Sequence, residues 1–467
     1  MADDRGPVRE IAWVEVFPWL SLLRAIRVAL DIRKLLVAAV GLLLMAAGWW
    51  ALAGVFSGSN DEWLLDHREQ YRAWPWEWSG EGGWLMTLPL RRAAADHGLA
   101  ENWLTRNPVF EAWETLSRPL RELFRWDLTR TSFAFVLLAA LWTVLVWTAC
   151  GGIITRLAAV ELSQDERCGL GAAARHVRAR WTSYAWAPLL PVVIALVVGL
   201  LWFLPGLVVR YDAGLVVGGI GWGLVLLAGL FLAALAVGLA LGWPLMWATV
   251  SVEGTDAFDA ISRSYSYVFQ RPLHYAFYAL VATILGVLGW LFVAVFAAAV
   301  VHLAAWTVSW GGGSARMRDV MAEVTTETRS HGEEVVKIRT EPWWAVLQAN
   351  RLAEDASDDP QSGLSSLGRF GVELIGWWIR LVKLVAMGFT YSFFWTTATA
   401  VYLLLRYDAD STETDELFVE EGEERYGLPP LVTDDSGVPV VDEVDDEPER
   451  AADASTTEAR SHGDDNG

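Results

Sequence analysis

From residue 273 to residue 310 the chain runs 38 positions without a single Asp, Glu, Lys or Arg. A helix of about 20 apolar residues already crosses a hydrocarbon core of about 30 Å. In a bilayer a run this long must tilt, break at Gly286 or Gly289, or project. Five other apolar runs accompany it, at about 35–56, 132–154, 187–209, 215–241 and 384–405. Apolar residues make up 54% of the chain and mean hydropathy is +0.31, the composition of a membrane protein. The expected fold is all-α, a polytopic helical bundle of about six spans.

The polar islands between the runs set the organisation. Residues 251–272, SVEGTDAFDAISRSYSYVFQRP, separate the two longest runs. Thr255 reads as a helix N-cap, Asp256 and Asp259 suit the positive end of the dipole, and Pro272 opens the next helix. Phe258, Ile261, Tyr265, Val268 and Phe269 fall on one stripe with Arg263 opposite. Such a helix, about 21 Å long at 1.5 Å per residue, is too polar to span and is expected along the membrane surface.

An earlier island follows the same pattern. Ser163 with Glu166 reads as a capping box, and Leu170, Ala174, Val177 and Trp181 as a helical stripe. Shifted by 88 positions, Leu170, Ala172, Arg175, Val177 and Trp181 fall on Phe258, Ala260, Arg263, Tyr265 and Phe269. Each unit reads span, surface helix, span, which implies a parallel internal repeat.

The flanks differ in character. Residues 1–34 place Trp13, Phe17, Leu20, Leu23 and Ile26 among Arg9, Arg24, Arg27, Arg33 and Lys34, a basic amphipathic segment whose cationic stems snorkel to headgroups. The first run is too long for a signal-peptide core and has no cleavage pattern after it, so it is expected to stay as an anchor. Residues 57–131 are crowded with tryptophan, including the WPWEW cluster at Trp74, Trp76 and Trp78. A sugar-stacking or partner-binding surface is one reading; indoles seated at headgroup level is the other, favoured by the interfacial preference of Trp. Asn107-Pro108 reads as an N-cap with proline at N1, opening a helix that Pro119 is expected to interrupt. Residues 334–338 read as a strand. Residues 407–467 carry 21 Asp and Glu against 3 Arg. They hold nearly all of the formal −20 of the chain, and the segment is expected to be disordered.

Short loops set the orientation. Residues 1–34 carry six Lys or Arg and residues 155–184 carry five, against one in residues 210–213. The expected layout is a cytoplasmic basic segment (1–34), a first span (35–56), an external Trp-rich loop (57–131) and a repeated helical core of four spans (132–310). An external polar loop (311–370), a surface helix with the last span (371–406) and a disordered acidic cytoplasmic tail (407–467) complete it. Both termini are then cytoplasmic, and the expected location is the bacterial cytoplasmic (inner) membrane.

Motifs of catalysis are missing: no phosphate-binding loop, no dinucleotide fingerprint, no H-E-x-x-H, no nucleophile elbow. Cys150 and Cys168 have no metal spacing and read as free thiols. No catalytic, cofactor-binding or metal residue is assigned, and no cofactor or nucleic-acid partner is expected. His302, inside a span, reads as an interhelical hydrogen bonder more readily than a proton relay. Thr390, Tyr391, Ser392, Thr396, Thr397 and Thr399 read as hydroxyls bonded to their own i−4 carbonyls or a neighbouring helix, rather than as a polar path.

The segments AAVELSQDERCGL, SVEGTDAFDAISRSYSYVFQRPLHY and FFWTTATAVYLLLRYDADSTETDELF resemble a family of uncharacterised bacterial multipass membrane proteins. The middle one is also similar to the membrane domain fused to some glycerophosphodiester phosphodiesterases and to related domains of unknown function. The resemblance implies a helical membrane fold and no activity, because the catalytic barrel of those enzymes has no counterpart here.

The expected function is a non-enzymatic membrane scaffold or assembly protein that meets protein partners through the tail and loops. The alternative is a permease subunit or lipid-handling protein with a cavity between the repeats.

Overall fold

A computed structural model describes residues 17–78, 107–331, 334–339 and 365–418. A one-turn 3-10 helix, Pro18–Ser21, leads into α1 (Leu22–Ala29) and α2 (Ile32–Val55). The chain continues through α3 (Glu62–Arg72), α4 (Pro108–Glu122), α5 (Arg130–Gln164), α6 (Leu170–Ala179) and α7 (Trp181–Val208). Then come α8 (Asp212–Glu253), α9 (Ala257–Gln270), α10 (Pro272–Gly312), α11 (Ser314–Thr325) and α12 (Ser366–Asp410). One antiparallel hairpin, β1 (Thr326–His331) with β2 (Glu334–Arg339), interrupts an otherwise all-α fold. Its second strand covers the one expected at 334–338.

Among the described residues, α2, α5, α7, α8 and α10 are long and apolar enough to cross a membrane. The chain is an integral membrane protein of helical type. The sixth expected span, at 384–405, is not among those five. It lies in α12, a single helix of 45 residues that also absorbs the expected surface helix. Every residue from Gly388 to Arg406 is buried, and α12 packs on α2, α5, α8 and α10. Its hydroxyls face protein: Ser392 donates to the Ala29 carbonyl at 2.8 Å and Thr399 to its own i−4 carbonyl, Trp395, at 2.9 Å, whereas the buried Thr396 and Thr397 hydroxyls find no such partner.

The long runs neither break nor end where their prolines and glycines suggest. α8 passes through Pro244 and α10 through Gly286 and Gly289, while α4 passes through Pro119. At about 1.5 Å per residue, α8 with 42 residues is roughly twice the thickness of a hydrocarbon core. Its two ends differ accordingly. Gly242 to Val252 is wholly buried in the bundle, whereas Leu215, Ile220 and Leu230 are exposed and lie where lipid would cover them.

The order long helix, short helix, long helix occurs twice, as α5–α6–α7 and α8–α9–α10. The short helices bury only part of the expected stripes, Val268 in α9 and Val177 in α6. In α9 the buried residues are Ala260, Ser264, Tyr267 and Val268, while Phe258 and Phe269 are exposed. In α6 they are Ala173, His176 and Val177; Leu170 and Ala174 are exposed. The α9 cap is Asp256, which accepts from Asp259 N–H at 3.0 Å, and not Thr255. No capping box forms at Ser163, because α5 continues to Gln164 and the Ser163 hydroxyl bonds back to Ala159 at 2.7 Å.

The amino-terminal segment is also more deeply seated than a surface helix. Leu22, Ala25, Val28 and Ala29 are buried, and so is Lys34, whose ammonium pairs with Glu161 of α5 and donates to the Val28 carbonyl at 2.9 Å. A buried cation is held only with such partners.

The segment expected to be disordered from residue 407 is folded as far as Phe418. α12 runs to Asp410, and residues 411–418 fold as a strap over the end of the bundle. Arg406 donates to the Glu416 carbonyl at 2.8 Å. Phe418 donates its N–H to the Val252 carbonyl at 2.8 Å, and its own carbonyl accepts from the buried Arg156 at 3.0 Å. The Phe418 ring lies 4.4 Å under the Arg180 guanidinium and against Gly254, where a Cβ would come within 2.7 Å of it. Gly254 also has φ +64°, so two constraints select glycine there. Residues 419–467, like those around Trp343–Leu352, lie outside the described residues.

Phe418→Ala removes the ring from the strap. It is expected to cost about 1–2 kcal/mol, the range of a partly desolvated cation–π contact, read as a melting temperature a few degrees lower in detergent. Phe258→Ala, at an exposed ring, is expected to melt with the wild type. Equal melting of all three would show that the strap contributes nothing.

Candidate functional site: an apolar cavity beside an inserted helix

α4 lies in the loop expected outside the membrane, yet it starts inside the bundle. Its cap, Asn107, is fully buried. The Asn107 Oδ1 accepts from Val109 N–H at 2.9 Å, and its Nδ2 donates to the Thr283 carbonyl of α10 at 2.9 Å. Pro108 at the first helical position has no N–H to satisfy. Glu111 N–H reaches the Asn107 carbonyl at 2.8 Å. One orphan donor of the helix end, Val109 N–H, is thus met by a side chain and another is removed by proline, which suits a water-free interior. Thr283 stands 11 residues into α10, about 17 Å along its axis, so α4 begins well below the surface and climbs outward.

Two further contacts fix its course. Trp113 donates its indole N–H to the Ala240 carbonyl of α8 at 2.9 Å. The Arg121 guanidinium lies over the Trp113 ring, 5.1 Å from its centroid, and donates to the Glu114 carbonyl at 3.3 Å. Beyond α4, Phe124 and Trp126 are exposed, Trp126 completely. Aromatic rings in that state beside Arg121 and Arg125 mark the headgroup level.

Between α4, α5, α7 and α8 lies a partly open cavity of about 860 Å³. Its walls are apolar, built from Leu116, Leu120, Val144, Leu196 and Leu239 among others. Ser117, Arg121 and Thr143 are the exceptions, apart from the indoles. Two of these are already engaged: Thr143 donates to Ala139 at 2.8 Å and accepts from Trp49 at 3.0 Å, while Ser117 bonds Glu114 at 3.4 Å. Arg121 is the one charged side chain on the wall.

The cavity floor is tryptophan. Trp247 and Trp395 stack at 4.4 Å, Trp243 meets Trp395 edge to face at 5.4 Å, and Trp147 stacks on Tyr391 at 5.1 Å. Gly151 allows this approach of α5 to α8, since a Cβ there would stand 2.7 Å from Trp247. Trp247 donates to the Tyr184 carbonyl at 2.7 Å. Trp395 sits 12 residues after Lys383 and 11 before Arg406, about 18 and 16 Å of helix. The floor therefore lies midway between Lys383 and Arg406, the charges that bound the uncharged stretch of α12.

At the opposite end of the bundle from Arg121, a buried polar network joins the repeat units. Ser251 of α8 shares hydrogen bonds of 2.7 Å with Thr155 of α5 and Tyr184 of α7. The His176 imidazole beside it is pushed down to about 3 by burial, with Arg156 and Arg180 adding to the effect. It stays neutral at physiological pH, and the network reads as structural.

The residues singled out in the sequence take ordinary places. Trp74 and Trp76 stack on each other at 5.4 Å, while Trp63 is buried and Trp78 packs on Trp49 at 5.9 Å. These last two are seated in protein rather than at headgroups. His302 is half-buried on the outer half of α10. Among the described residues no group of three or more His, Cys, Asp or Glu is placed to hold a metal ion. No family model, curated protein or solved structure matches the chain.

Proposed function

We propose that this is a lipid-handling membrane protein, which takes the hydrocarbon part of a single bilayer lipid into the cavity beside α4 and binds it without chemistry. The supporting observation is the wall. A cavity of about 860 Å³ is ample for a ligand of drug size or larger, and its hydroxyls are consumed within the protein. A polar solute would find few partners there, the indole N–H groups of Trp243 and Trp395 and Arg121, which disfavours a permease for small hydrophilic cargo. The scaffold reading leans on the acidic tail and the loops as partner-binding segments, and the cavity does not call for it.

The basic bias of the short loops supports an orientation with the N-terminus, α6, α9 and the strap in the bacterial cytoplasm. Arg121 would then stand at the outer side. A reporter fused at Ser59 should signal an external location; a cytoplasmic signal would invert this assignment.

Leu196→Trp tests the cavity by filling it. Native mass spectrometry of the gently solubilised wild type should show one retained lipid per chain, and the variant should lose it while melting as the wild type does. Equal lipid retention in a stably folded variant would place the lipid elsewhere.

A further inference from the structure

We infer that the cavity selects a lipid with an anionic, phosphate-bearing headgroup, and that Arg121 is the residue that reads it. This rests on the reading of the cavity as a lipid site. A lipid tail gains little by leaving one apolar medium for another, because bilayer chains are as apolar as leucine. Retention must come from packing and from whatever polar contact the site adds.

Besides the indole N–H groups of Trp243 and Trp395, which have no partner in the protein, the site offers one charged contact, in the right place. Arg121 is the one charged side chain on the wall. It is half-exposed, so its guanidinium keeps donors for a ligand. Its guanidinium carbon lies 5.1 Å from the Trp113 ring centroid, and Glu114 forms an exposed ion pair with it at 3.9 Å, beyond a direct hydrogen bond. Exposed Phe124 and Trp126 set this end of the cavity at headgroup level, and Trp395 sets the other near the bilayer centre. The distance between those levels is that of one leaflet. A lipid of that leaflet places its phosphate at Arg121 and its chains on the tryptophan floor. A planar guanidinium is the group best matched to two phosphate oxygens.

The test uses the full chain in mild detergent, titrated with equal amounts of phosphatidylglycerol and phosphatidylcholine of identical chains and read by native mass spectrometry. The wild type should retain phosphatidylglycerol at least five-fold over phosphatidylcholine. Arg121→Gln should bring the ratio to near one while chain binding persists, and Arg121→Lys should restore part of it. An unchanged ratio in Arg121→Gln, or no preference in the wild type, overturns the inference. Leu196→Trp separates the two readings: if it leaves both lipids bound, the cavity is not the lipid site, whatever Arg121 does.

Discussion

A helix that begins inside a membrane protein must satisfy its own first N–H groups, and the place of α4 depends on how Asn107 does so. One side-chain amide closes the first turn through Val109 and ties the helix to α10 through Thr283. Pro108 removes a donor that would otherwise need a partner. With that end secured, Trp113 can reach α8 and Arg121 can reach the surface. Without it, the Val109 N–H would be left unmet in a water-free interior at a cost of several kcal/mol, which would favour α4 lying outside. The cavity is the space that α4 borders against α5, α7 and α8.

The second organising element is α12. It is the least apolar of the long helices, yet its stretch from Gly388 to Arg406 is wholly buried. Lipid is as apolar as leucine, so apolarity does not draw a helix to the centre of a membrane bundle; small and hydroxylated side chains do, through close contact and short hydrogen bonds. Ser392 on Ala29 and Thr399 on Trp395 are contacts of this kind. At one end α12 continues into the strap, which ties Arg156 and Arg180 of the first repeat unit to Val252 and Gly254 of the second through Phe418.

The same rule explains what the sequence made legible and what it hid. Charge-free runs located five spanning helices because length and hydropathy are local properties, and Asn107-Pro108 announced a helix start because capping is local too. The buried face of α9 was hidden. The aromatic stripe of Phe258 and Phe269 is where a soluble helix would turn inward, but here Ala260 and Ser264 face protein. The depth of α4 was hidden as well, because its amphipathic spacing suits a surface helix and an inserted one equally. Only the long-range bonds to Thr283 and Ala240 distinguish them. The cavity floor joins Trp147, Trp247 and Trp395, which are far apart in the chain, and no spacing rule connects them. Of the cavity wall, the start of α4 at Asn107-Pro108 was visible; the role of Arg121 further along it was not.

Electron cryomicroscopy of the full chain in a lipid nanodisc tests the central claim directly. The predicted result is α4 starting at Asn107 within the membrane slab, with a tube of lipid density running from Arg121 to Trp395 between α4 and α8. A map with α4 lying outside the slab, or with side chains closed over an empty space where that tube should be, contradicts it.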